Sequence, residues 1–493
     1  MKKICFILIC LPAFIINSAA QSWQKVGIGI HGLNVAGGSL YAGCTDIHGN
    51  IYTCGELIDD SGGHSVYKWD GTSWNELGHG SSSLDPSAGQ IKTVFADIAG
   101  NVYAPAFSQS LAGYYVARWD GAYWSPVGTG FPVASDISAI ATDRHGNLYA
   151  AGGFHDASYR YFVAKWDGVR WSEVGTGSHS LNANAYINCM VVDTLDHIYV
   201  AGAFSNNASV TKADLYVAKW DGTNWSEVGG AVAFNYYHGE NIEALAEDAA
   251  GNLYATGWFT NSNHKYYVAK WDGTTWSELG TGANSLKANN IIFSLCLDGQ
   301  GNLYTTGSFT DTTVNLIKPN LDLTTGIVYT RDTIHPCYVA KWDGTTWSNT
   351  GIGVNALNAN QAIYSICSDA NGNIYAAGAF TDTTVIVPWL SPTRMHTDYT
   401  YPSYVAKYRT SITGVAPLAL NSSMVIYPNP ASNILTVTAH DNIANIEIYD
   451  AAARTVFSRQ YNTPNVQVNV SDLPQGVYFI KMNGVVIRKF VKE

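Results

Sequence analysis

Apolar and polar residues alternate at period two over short runs, and the runs return in a fixed order along most of the chain. One run reads AIATDRHGNLYAAGGF from Ala139 and returns as ALAEDAAGNLYATGWF from Ala244 and SICSDANGNIYAAGAF from Ser365. Its period marks a half-buried strand on each side of an Asp and a Gly-Asn pair, and Gly and Asn accept the positive φ that a short hairpin loop needs. A second run follows: YVAKWDGTTWSELG from Tyr267 has near-copies from Tyr115, Phe162, Tyr216 and Tyr338, and a looser one, VYKWDGTSWNELG, from Val66. Each unit therefore predicts four strands, called A to D: A before the Asp, B after Gly-Asn, C ending at the Trp-Asp-Gly turn, and D after it.

Counting the runs gives the architecture. Strand B begins seven times, at Ile51, Val102, Leu148, Ile198, Leu253, Leu303 and Ile374. Strand C also occurs seven times, but its last copy, YVAKYRT from Tyr404, has no Trp-Asp-Gly turn and no strand D after it. The missing strand stands at the other end of the chain, where SWQKVGIG from Ser22 matches the WSEVGTG segments. A ring that pairs the N-terminal strand with the last unit explains this offset, so the expected fold is all-β, with a seven-bladed β-propeller over residues 21–409 closed by an N-terminal strand. The region from Ser22 to Arg409 resembles the short-repeat propellers of bacterial secreted proteins, whose blades carry a D..GN.Y..G signature, and more loosely the kelch-type propellers. That resemblance implies a fold and no particular activity.

The pattern stops at Thr410. Residues 410–423, TSITGVAPLALNSS, read as a linker, and residues 424–493 as a small β-sandwich. This last segment carries VIYPNPASNILTV with Pro428, Asn429 and Pro430, then IEIYDAAARTVF, LPQGVYFIKM with Leu473, Pro474, Gly476 and Tyr478, and a terminal RKFVK containing Lys489. It closely resembles the type A C-terminal sorting domain of the type IX secretion system, departing from it at Ala453, where a Gly before the Arg is usual. The resemblance implies recognition by the type IX machinery, passage across the outer membrane, loss of the domain near the linker, and release or attachment to surface lipopolysaccharide. Residues 1–20 fit an export signal: Lys2 and Lys3 precede an apolar run from Ile4 to Ile16, and Ser18, Ala19 and Ala20 supply a cleavage point. No run approaches the roughly 20 apolar residues of a membrane-spanning helix. The expected location is the extracellular space or the outer-membrane surface, reached through the periplasm.

Charge and cysteine usage narrow the partners. Removing the two signal lysines takes the formal charge from -11 to about -13, and the sorting segment is slightly basic, so the repeats hold the negative balance and nucleic acid is excluded as a natural partner. The six cysteines outside the signal read as buried small hydrophobes rather than a disulfide framework.

The seven Asp residues that end strand A, Asp46, Asp97, Asp143, Asp193, Asp248, Asp298 and Asp369, suit acceptors for turn amides better than a ring of metal ligands. The repeated tryptophans suit packing between sheets better than sugar stacking. No HExxH, GxSxG or P-loop is present, so no metal, cofactor or catalytic residue is assigned.

Specificity is expected on the face that carries the BC and DA loops, which differ from unit to unit. The long BC loops run from Thr310 to Pro336 and from Thr381 to Ser403, and in them Trp389, Tyr399 and Tyr401 stand outside the repeat as a ligand platform or as cover for their own loop. Asn182, Asn184, Asn289, Asn290, Asn358 and Asn360, in the LNAN-like DA segments, are placed either to line the channel mouth or to cap local turns. The resulting reading is an exported binding or scaffold module for a polysaccharide or a protein. Its rivals are an extracellular carbohydrate lyase or hydrolase acting at the channel mouth, and a structural surface protein.

Overall fold

The computed structural model describes residues 21–27, 33, 38–57, 64–78, 84, 90–108, 113–128, 131, 136–205, 215–229, 241–321, 328–351, 355–383, 387–390, 397–400, 402–409, 425–427, 430–450, 454–482 and 486–493. They are all-β and fall into two compact units, residues 1–411 and 412–493.

In the first unit the alternating runs fold into four-stranded antiparallel sheets, seven of them among the described residues, each open and each ordered A-B-C-D. Strand B starts at every position the pattern gives, as Ile51–Gly55, Val102–Ser108, Leu148–Gly152, Ile198–Gly202, Leu253–Gly257, Leu303–Gly307 and Ile374–Gly378. Six of the sheets take all four strands from one contiguous stretch of chain. The remaining sheet takes Ile363–Ser368, Ile374–Gly378 and Ala406–Tyr408 from the end of the unit and Trp23–Lys25 from its beginning, with Trp23 opposite Tyr408 and Lys25 opposite Ala406.

Strand B is buried along its whole length in six of the sheets, which is why small residues such as Ala150, Ala201 and Thr306 fill it. The residue two beyond that strand is Phe154, Phe204, Phe259, Phe309 or Phe380, each with no exposed surface and each edge-on to an aromatic ring of strand C at 4.9–5.1 Å. Burying one such side chain stabilises the unit by about 1.5–3 kcal/mol. The six cysteines are all free thiols, and burial pushes the pKa of Cys44, Cys54, Cys189, Cys296, Cys337 and Cys367 upward.

The long BC segments are not plain loops. Each contains an antiparallel hairpin, Leu316–Leu321 with Val328–Ile334 and Val387–Leu390 with Thr397–Thr400. The β-branched and aromatic residues in these segments favour pairing even though they repeat nothing else in the chain.

In the second unit a sheet runs in the order Val425–Tyr427, Ile434–Asp450, Gly476–Met482 and Val486–Lys492, and Thr455–Asn469 pairs with Ile434–Asp450. Its core holds Leu435, Val437, Ile446, Ile448, Val466, Val468, Ile480 and Phe490. The described residues that carry the sorting-domain resemblance lie in or beside this sheet. Leu473 packs against the core, and the Tyr478 hydroxyl donates to the Pro474 carbonyl at 2.9 Å while its ring stacks on Phe490 at 5.6 Å. Gly476 pairs with Lys492, and Lys489 with Phe479. Pro430 is exposed, directly before Ala431, whose N–H donates to the Val491 carbonyl; Pro428 and Asn429 lie outside the described residues.

Candidate binding cavity

At the AB-turn end of each sheet the same chemistry recurs. Asp143 Oδ1 accepts the N–H groups of His145 and Asn147, both at 2.9 Å, while Oδ2 accepts the Asn147 amide at 2.6 Å and the Tyr149 hydroxyl at 3.0 Å. Asp46, Asp97, Asp248, Asp298 and Asp369 repeat this set, and Asp193 does so with His197 in place of the Asn. Burial works against the charge at Asp143 and Asp248, but the hydrogen bonds outweigh it and hold both carboxyls below the ordinary range. In six sheets a strand C lysine lies 5.1–5.7 Å from the centre of that Tyr ring. These carboxylates are therefore saturated by their own turns.

The tryptophans are taken up in the same way. In five sheets the strand D indole N–H donates to a backbone carbonyl of the preceding sheet at 2.6–2.9 Å: Trp124 to Leu77, Trp171 to Val127, Trp225 to Val174, Trp276 to Val228 and Trp347 to Leu279. Trp74 donates to Val26, beside the N-terminal strand, and Trp23 of that strand donates to Thr350. The other Trp of the turn lies over the glycine that ends strand D of the preceding sheet. Gly128, Gly175, Gly229 and Gly280 sit at φ between 70° and 83°, and a Cβ there would run into Trp166, Trp220, Trp271 and Trp342 respectively.

The opposite end of the sheets behaves differently. In six of them the pairing of strand A with strand B shifts register after its first residue, between Leu40 and Ala42, Ile137 and Ala139, Ile187 and Cys189, Ile242 and Ala244, Ile292 and Ser294, and Ile363 and Ser365. The glycine closing strand B makes room for this: a Cβ at Gly202 or Gly257 would overlap the carbonyl of Tyr186 or Asn241, just before strand A. A bulge re-aims the residue it skips. The skipped residues are Tyr41, Ser138, Asn188, Glu243, Phe293 and Tyr364, no two of them from the same sheet. With Lys92 from the remaining sheet, and with Asp136, Tyr186 and Asn241, they line one cavity of about 770 Å³.

One wall of this cavity is aromatic. Phe293 meets Tyr364 at 5.4 Å and Tyr364 meets Tyr41 at 5.7 Å, all between ring centroids. The Tyr41 hydroxyl donates to Glu56 Oε1 at 2.7 Å, and Glu56 also accepts the Gln90 side-chain amide and the Ser39 N–H. Burial, then the Glu56 carboxylate, push the Tyr41 pKa up, so this phenol stays neutral.

The other wall is polar. Lys92 Nζ lies 2.7 Å from Asp136 Oδ2, whereas Asp136 Oδ1 is buried with no hydrogen-bond partner among the described residues. Burial raises the pKa of Glu243, with the Trp258 and Asn241 side chains opposing the rise. Among the described residues the lining thus sets two carboxylates against one ammonium.

The residues expected from the loops stand elsewhere. Asn182 is exposed at φ 53°, with its amide on the Ser180 carbonyl at 3.3 Å, and Asn358 has φ 48°. Asn360 clips the far end of strand B, donating to Thr381 Oγ1 at 3.1 Å and accepting the Thr381 N–H at 2.9 Å, as Asn184 does with Ser205 and Asn289 with Thr310. Trp389 is paired with Asp398, and Tyr399 with Pro388, in the second hairpin; Tyr401 lies outside the described residues. The cavity residues sit at or near the starts of strands rather than in the loops that vary between units. Their signal is the position after the first apolar residue of strand A, which reads Tyr41, Lys92, Ser138, Asn188, Glu243, Phe293 and Tyr364 through an otherwise repetitive unit.

Comparison with known proteins bears on the second unit most directly. Residues 425–493 match the family described as secretion system C-terminal sorting domain, the tail that sends proteins through the type IX secretion system to the cell surface or beyond. Among curated proteins none matches the chain. Among solved structures, PorZ, an essential surface component of the type IX secretion system of Porphyromonas gingivalis, aligns at 12% identity over 90% of this chain with a TM-score of 0.40, and the chain spans 64% of the length of PorZ. The WD40 β-propeller domain of Doa1 aligns at 10% identity over 79% of this chain and 97% of its own, with a TM-score of 0.46. The β-propeller domain of the Trilobed protease from Pyrococcus furiosus aligns at 8% identity over 76% of this chain and 94% of its own, with a TM-score of 0.44. Among the described residues no helix is long and apolar enough to cross a membrane.

Proposed function

We propose that residues 21–409 form a seven-bladed β-propeller, closed by the N-terminal strand, that binds a polysaccharide at the cell surface. The observation that carries the binding reading is the cavity at the bulged end, where the seven sheets contribute six kinds of side chain from one equivalent position while the repeated Asp and Trp side chains are taken up by the fold. Closure is supported by the indole hydrogen bonds, which step from each sheet to the one before it and return through Trp74 and Trp23 to the starting point. Trp389, Tyr399, Tyr401, Asn182, Asn358 and Asn360 serve in this reading as outer contacts for a chain whose inner residue occupies the cavity. Residues 1–20 act as the export signal, 410–423 as the linker, and 424–493 as a β-sandwich that the type IX machinery recognises and removes, leaving the propeller released or attached to lipopolysaccharide.

A second reading, a glycan lyase or hydrolase, is favoured by one feature, the Glu243 carboxyl that burial holds toward its protonated form within the cavity. The test is a broad glycan panel presented to the purified full chain, read for binding and for newly formed reducing or unsaturated ends. Binding without turnover is the expected result. Turnover would replace the binder with the enzyme, and silence across the panel would leave a structural surface role.

A further inference from the structure

We infer that the cavity selects a ligand bearing a protonated amine, which in a polysaccharide means an amino sugar with its nitrogen unacylated. This inference rests on the polysaccharide reading and deepens it. The lining is unbalanced: Lys92 is engaged by Asp136 Oδ2, and no second cation among the described residues lines the cavity with Glu243. Asp136 Oδ1 adds a buried acceptor that receives no hydrogen bond from the described residues. A buried carboxylate without a cation is unfavourable, and a ligand ammonium would remove that cost, whereas a neutral sugar would leave it and an acidic one would increase it.

The aromatic part of the lining agrees with this charge. Phe293, Tyr364 and Tyr41 follow one another on three sheets, forming an aromatic arc. Aromatic faces attract cations and also pack on the C–H face of a sugar ring. An aromatic arc lining the same cavity as a carboxylate with no matching cation among the described residues is thus suited to an amine on a ring, and the roughly 770 Å³ of space is enough for a saccharide residue.

Isothermal titration of the full chain with a glucosamine oligomer, the same oligomer fully N-acetylated, a uronate oligomer and 1,5-diaminopentane tests this. The glucosamine oligomer is expected to bind about tenfold or more tighter than its N-acetylated form, and Glu243→Gln to abolish that difference between the two oligomers. Tyr364→Leu is expected to weaken both oligomers, which ties the effect to the arc. Equal binding of the free and acetylated oligomers, or tighter binding of the uronate, overturns the amine inference and leaves the polysaccharide reading standing. Binding of diaminopentane with no oligosaccharide of any kind supports amine selection and removes the polysaccharide reading. Silence toward all four probes overturns both.

Discussion

The two ends of each four-stranded sheet are made from the same strands and do opposite things. At the AB-turn end the residues are nearly identical in every sheet, and each donor and acceptor closes on a neighbour a few positions away. Asp248 receives two backbone amides, the Asn252 amide and the Tyr254 hydroxyl, which leaves it nothing to offer a ligand. At the bulged end the backbone repeats but the side chains do not, and Glu243, only a few residues earlier on the same strand, faces a cavity. Repetition here marks chemistry that the fold has taken up, and its interruption marks chemistry that is free to act.

The sharpest way to break this contrast is to truncate one residue from each end. Asp248→Ala strands four donors and is expected to destabilise the first unit by about 2–4 kcal/mol in denaturant unfolding followed by tryptophan fluorescence. Glu243→Ala is expected to stay within about 0.5 kcal/mol of the parent. Comparable losses from the two would erase the distinction.

A smaller effect examines whether the N-terminal strand is an ordinary member of the series. Trp23→Phe removes the indole donor to Thr350, and Trp225→Phe removes the equivalent donor to Val174. Each should cost about 1–2 kcal/mol, by the loss of one hydrogen bond and the carbonyl left without it. A Trp23→Phe variant as stable as the parent would count against the proposed closure through this indole.

The smallest expected effect concerns Glu247, at the AB-turn end of its strand A but outside the repeated network. Burial, then Asp193 and Asp248, raise its pKa from 4.5 to about 7. Because the folded value lies above the ordinary one, its contribution to stability is complete below about 4.5 and is lost as pH rises through about 7. Glu247→Gln is therefore expected to stabilise the protein at pH 8 by about 1 kcal/mol, allowing for solvent screening, and to have little effect at pH 4. A stabilisation that is greatest at low pH would reverse the sign of this argument.

Much of the fold was legible because its determinants are local. The Gly-Asn pair, the period-two alternation and the Asp two to four residues from the amides it accepts all lie within one hairpin, so all seven starts of strand B are found where the pattern puts them. The partner of Trp23–Lys25 was legible for another reason, since a unit lacking one strand calls for a matching strand elsewhere.

The cavity was not legible in the same way. Leu40, Tyr41 and Ala42 read as three residues of a regular strand, and only the close approach of Gly55 to the Ser39 carbonyl, across the sheet, turns Tyr41 out of register. Likewise, nothing near Phe293 or Tyr364 in the chain announces that they meet. The hairpins within the long BC segments are hidden in the sequence because their pairing belongs to no repeated unit.

The most direct test is a crystal structure of the protein bound to the oligosaccharide that binds it most tightly. Binding in the cavity predicts sugar density against the Phe293, Tyr364 and Tyr41 arc, with a nitrogen on Glu243 or Asp136. Density confined to the Val387–Leu390 and Thr397–Thr400 hairpin, with no sugar in the cavity, would contradict it.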